Sequence, residues 1–189
     1  MRTRFGQNVR LSFPLSENES NFPRFLSSHG KFGAVRTHDV HTGIDLYTKE
    51  GAYVRAIEAG LVVAIEDFTG LSAGSPWWLD TQAVLVESPA GVWVYGEVKP
   101  EVAVGQVIAS GDHLGHVLPV LRPEEVRADI PGHSRFMLHL ELHKAGTRET
   151  SWWRKGDPQP PSLLDPTPLL FRAWNELAIK KAFEQEGKG

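Results

Sequence analysis

Between Gly51 and His143 the chain is cut into apolar runs too short for helices, each closed by glycine, proline, serine or aspartate. AYVRAIEAG, LVVAIEDF, TQAVLVES and GVWVYGEV follow one another from residue 52 to 98, each of strand length and rich in Val and Ile. AVGQVIASGDHLGHV adds two shorter segments around Ser110-Gly111-Asp112, and FMLHLELH, ending at His143, adds another. So many short strands with frequent turn residues restrict the fold to a mainly β class, an antiparallel sheet closed into a sandwich or barrel.

The flanks read differently. Residues 1–36 are polar and irregular, an arm that wraps the sheet through Phe13, Phe22 and Phe25. The β domain proper covers 37–146, with a Pro- and charge-rich insertion at 119–135. Residues 147–189 form a Pro-rich connector and a helix packing on the same domain. Thr167 is expected to cap that helix and Pro168 to occupy its first turn, with Leu169, Leu170, Ala173, Trp174 and Leu177 as its apolar stripe.

A chain of 189 residues suits one domain with its own core. A net charge of -3 provides no basic footprint, so nucleic acid is not an expected partner. Nor is a membrane, because no stretch approaches the ~20 consecutive apolar residues of a span. MRTRFGQNVRLSFPL lacks the apolar run of a signal peptide, so a cytoplasmic location is expected, or a periplasmic or secreted one if a leader has been removed. With no cysteine, a transition metal would have to be held by imidazole and carboxylate.

Two stretches supply such groups: HTGIDLY, 41–47, and MLHLELH, 137–143. In the second, strand alternation places Leu138, Leu140 and Leu142 on a core face. Met137, His139, Glu141 and His143 fall on the other face, expected to open into a groove or onto solvent. On a straight strand His41 and Asp45 would stand ~13 Å apart, too far to share an ion. A bend at Gly43 would bring them together, with His139 the best-placed third donor. Two imidazoles and a carboxylate with one open position make a catalytic zinc set. The plainer reading of an HxxxD is two unrelated surface residues, and His29, His113, His116 and His133 are read in that way, with His38 and His143 little above it.

With these blocks assembled, the stretch from His41 to His143 resembles the lysostaphin/LytM-type zinc endopeptidases, which cut peptide cross-links of bacterial cell walls. The likeness rests on HTGIDL, GAYVRAIEAGLVVAIE, VWVYGEV, VAVGQVIASGDHLGHV and MLHLEL, in that order. The resemblance implies one zinc ion on His41, Asp45 and His139, a mainly antiparallel β fold, and a peptide or peptidoglycan fragment as partner. Two departures stand out. The family's two helper histidines, which orient or deprotonate the attacking water, correspond to Glu97 and Met137 here.

Glu97 has three open roles: general base, as glutamate is in HExxH metalloproteases, fourth ligand closing the site, or solvated surface carboxylate. Alternation in VWVYGEV puts Trp93, Tyr95 and Glu97 on one face, so Glu97 and Tyr95 are both expected towards the metal, with Tyr95 and Met137 meeting substrate. Glu141 is expected to accept a hydrogen bond from a ligand histidine. The pairs Trp77-Trp78 and Trp152-Trp153 are read as plugs over the sheet edge. The function that follows is a zinc-dependent hydrolase of peptide bonds, with an inactive zinc-binding pseudoenzyme that holds a peptide or protein partner in the same groove as the alternative.

Overall fold

A computed structural model describes residues 10–16, 22, 29–126 and 134–186. Its strands are β1 (Ile44–Tyr47), β2 (Tyr53–Arg55), β3 (Gly60–Thr69), β4 (Thr81–Ser88), β5 (Gly91–Pro100), β6 (Val107–Ile108), β7 (His113–Val117), β8 (Met137–His143) and β9 (Leu163–Leu164), followed by helix α1 (Thr167–Glu186). Every pairing is antiparallel, and the main path through the sheet runs β1-β8-β5-β4-β3-β6. β2, β7 and β9 attach beside that path: β7 to β5 and β2, and β9 to β8.

The consecutive Val- and Ile-rich runs form a meander, β3-β4-β5, in which residues 70–80 link the first pair and a tight turn at 89–90 links the second. β8 arrives from much later in the chain and inserts between β1 and β5, which brings the two histidine-bearing stretches side by side.

Cross-strand partners share a face. Ile44, Leu46, Trp93, Tyr95, Leu138, Leu140 and Leu142 therefore point together into the main core, all buried. That face is sealed by the arm and the helix. Leu11, Phe13 and Leu15 are buried on it, and Phe13 and Phe22 meet Trp174 with ring centroids 4.9 and 5.3 Å apart. The Leu11 amide donates to Glu176 at 3.0 Å, tying arm to helix. Leu170 and Ala173 are the fully buried members of the helical stripe. Thr167 is the first residue of the helix rather than its cap, and its amide donates to Asp165 Oδ1 at 2.8 Å. Phe25, His133 and the middle of the 119–135 insertion lie outside the described residues. Among the described residues no helix is long and apolar enough to cross a membrane.

The second face of β8 opens into a cavity at Met137, His139 and Glu141, as alternation suggested, but not at His143. Met137, His139, Glu141 and His143 are all buried. Both edges of β8 are paired, and the neighbouring face carries its own apolar cluster of Ala83, Leu85, Val92 and Val94, with Phe68 packed against it.

Candidate metal centre

The β1–β8 register sets Asp45 directly opposite His139. Asp45 Oδ1 lies 2.9 Å from His139 Nδ1. His41 precedes the strand and is held by a small hairpin, in which Val35 pairs with Val40 and the His41 amide donates to the Ala34 carbonyl at 2.9 Å. From there its Nε2 reaches to 3.0 Å from Asp45 Oδ1 and 3.2 Å from His139 Nδ1.

Gly43 makes this closure possible through space rather than through a left-handed backbone. It is absent from the residues with positive φ, but a Cβ on it would lie 2.5 Å from the Leu140 carbonyl oxygen and 2.8 Å from His139 Nε2. The His139 ring occupies the room that glycine leaves. Gly96, opposite His139 on β5, does the same for Phe68, whose ring centroid is 5.2 Å from that of His139.

Outer hydrogen bonds fix which atoms face inward. His41 Nδ1 donates to the Lys31 carbonyl at 2.9 Å, leaving the Nε2 lone pair towards the site. His139 Nε2 donates to Glu141 Oε1 at 3.0 Å, which turns its Nδ1 inward. Glu141 Oε2 in turn accepts from His143 Nε2 at 2.7 Å. Three electron-rich atoms thus face one another within a buried pocket, an arrangement that calls for a cation between them.

Without an ion that place is taken by a proton on His139, paired with the Asp45 carboxylate. Burial alone would lower His139, but its hydrogen bonds to Asp45 and Glu141 raise it to about 10. In Asp45 the upward push of burial is outweighed by the charges and hydrogen bonds of His41, His139 and Arg36, which hold it well below the usual carboxylate range. Burial lowers His41, with Asp45 opposing it. Glu141 is held low against burial by the two histidines that donate to it.

The donor set fits zinc. An ion bonded at ~2.0–2.1 Å with tetrahedral angles holds its donors roughly 3.3 Å apart, and the three separations here are 2.9, 3.0 and 3.2 Å. Among the described residues this is the one cluster of three or more His, Asp or Glu donors close enough to hold an ion. Glu97 does not belong to it.

Glu97 does face the site, but not by simple alternation. β5 has two residues, Gly96 and Glu97, opposite Ala83 of β4, where the pairing shifts between Gln82–Val98 and Val84–Tyr95. Glu97 takes φ 65° at this bulge, the one non-glycine residue with positive φ among the described residues. The bulge turns it over to the face opposite Trp93 and Tyr95. Its carboxyl is buried and its Oε2 has no hydrogen-bond partner. Burial and the nearby Asp45 charge push it up to about 8.

Tyr95 does not meet substrate. It is fully buried in the core, where its hydroxyl accepts from the Ile57 amide at 2.8 Å. Met137 does line the site, beside Tyr47, its partner across β1 and β8. Tyr47 was missed in the sequence, although it stands two residues beyond Asp45 on the same face. Together these groups border a cavity of about 340 Å³. The tryptophans are walls, not plugs: Trp78, Trp152 and Trp153 all line it, while Trp77 packs edge-on against Trp78.

The sequence matches no family model and no curated protein. Solved structures do match. The antimicrobial peptidase lysostaphin from Staphylococcus simulans aligns over 88% of this chain and 55% of its own, with 17% identity and a TM-score of 0.53. A solution structure of lysostaphin aligns over 87% and 55%, with 17% identity and a TM-score of 0.51. A protein named lytM from Ruminococcus gnavus aligns over 89% and 62%, with 20% identity and a TM-score of 0.50. This chain therefore spans 55–62% of the length of these three structures. The likeness establishes its fold: a mainly antiparallel β-sheet of the lysostaphin type, closed by one C-terminal helix.

Proposed function

We propose that the chain is a zinc-dependent hydrolase of peptide bonds, peptidoglycan cross-links among them, with His41, Asp45 and His139 holding one zinc ion. The observation that carries this reading is the triangle of inward-facing donor atoms at the wall of a cavity large enough for a peptide segment. A zinc ion in such a set supplies Lewis acidity and a nucleophile at neutral pH.

This chain's own residues would supply the rest. Glu97, which lines the same cavity as the cluster but stands outside it, is the candidate proton acceptor, a buried carboxyl with one oxygen left without a hydrogen-bond partner. Glu141 fixes the orientation of His139, and Met137 and Phe68 give the site dry walls. Trp78, Trp152 and Trp153 offer broad faces against which an extended peptide can lie.

A second reading is favoured by Met137, which occupies a position that lines the site but cannot move protons: a zinc-binding chain that holds a peptide without cutting it. Glu97→Gln separates the two. For a hydrolase with Glu97 as base, hydrolysis of peptidoglycan fragments falls by ~10²–10⁴-fold with zinc content unchanged. Loss of zinc along with activity would instead make Glu97 a ligand. A wild-type protein that binds zinc and peptidoglycan peptides but cleaves none would support the binder.

A further inference from the structure

The two oxygens of Asp45 have different surroundings. Oδ1 faces the ring nitrogens of His41 and His139 at 3.0 and 2.9 Å. Oδ2 faces away from them and accepts from Arg36 Nη2 at 2.9 Å. The guanidinium is itself anchored. Its Nη2 also donates to the His29 carbonyl at 3.3 Å, and the Arg36 amide donates to the Asp39 carbonyl at 2.9 Å within the hairpin that carries His41.

We infer that Arg36 is a positioning residue that keeps Asp45 a one-oxygen donor to the metal. This rests on the zinc reading above. A carboxylate with both oxygens free can grip a divalent ion through both, adding a fifth donor that crowds the position a reactant needs. A permanently charged guanidinium on Oδ2 opposes this in two ways. Its charge-assisted hydrogen bond competes for that oxygen, and its planar donors fix the plane of the carboxylate. The same hairpin delivers His41 and Arg36, so one short segment brings both a ligand and the group that limits its neighbour.

The test uses the full chain loaded with cobalt(II), whose visible absorption is far stronger in four-coordinate than in five- or six-coordinate sites. Wild type is expected to bind one cobalt with an intense visible band. Arg36→Ala is expected to bind one cobalt and lose most of that intensity, as Asp45 closes on the ion through both oxygens. Arg36→Gln, which keeps an N–H but no charge, should show the same loss and gives the readout if alanine impairs folding. Arg36→Lys should restore part of the band. A cobalt spectrum unchanged in both neutral variants overturns this role for Arg36 and leaves the metal site standing. A wild-type chain that takes up no cobalt or zinc overturns the metal reading, and this inference with it.

Discussion

At the scale of single residues, the site depends on where atoms are absent as much as on where they are present. Gly43 sits under the His139 ring, and any Cβ there collides with the β8 backbone at Leu140 as well as with that ring. The backbone of a strand paired on both sides cannot retreat, so the ring must. Gly43→Ala is therefore expected to weaken zinc binding by roughly 10–100-fold, the size of effect seen when the orientation of a ligand histidine is disturbed. Overpacking should also cost ~1–3 kcal/mol of stability. A chelator-competition titration checks the first and thermal melting the second. Zinc affinity equal to wild type would show that His139 does not need the space.

At the scale of elements, β5 decides the chemistry through one extra residue. The bulge holds Glu97 in a left-handed conformation that costs a non-glycine residue ~1–2 kcal/mol, and it buries a carboxyl with an unpaired oxygen. Strain concentrated on one residue facing a cavity is what a functional group looks like when it is held against its own preference. Glu97→Gly should remove the backbone cost and stabilise the metal-free protein by about 1 kcal/mol at pH 4. The gain should grow with pH. With Glu97 raised to about 8 in the folded state, the unfolded chain loses this proton near 4.5 while the folded protein keeps it. Over that interval the unfolded state binds fewer protons, so wild-type stability falls as pH rises and levels off above pH 8. Denaturant unfolding of both proteins between pH 4 and 9 reads the difference. A gain that stays flat across this range, or a glycine variant less stable throughout, would contradict a strained and buried Glu97.

The same bulge marks where the sequence stops being legible. The strands could be read because β-branched runs are interrupted by turn residues. The face of Glu97 could not, because counting by twos has no knowledge of an inserted residue, and it sent Glu97 to the side of Tyr95. Alternation served well in β8, where no bulge intervenes, and it would have found Tyr47 two places beyond Asp45. Arg36 left no signal, because its hairpin is fixed by backbone pairing rather than by an apolar period. β9 was hidden in a proline-rich connector because two residues are too few to show alternation.

At the scale of the whole molecule, the three proposed ligands come from the arm-side hairpin, an early strand and a late strand, while the arm and α1 seal the opposite face of the same sheet. Zinc bound to the folded chain alone would stabilise all of it, by about 2.7 kcal/mol at a free concentration 100 times Kd. The melting temperature should rise on adding zinc and fall on adding a chelator. The most direct measurement is the zinc content of wild type and His139→Ala after equilibrium dialysis, with circular dichroism to verify that both are folded. One zinc per wild-type chain and almost none in the folded variant is the result expected. A folded wild-type chain without zinc, or equal zinc in both proteins, would mean that His41, Asp45 and His139 meet for some reason other than a metal ion.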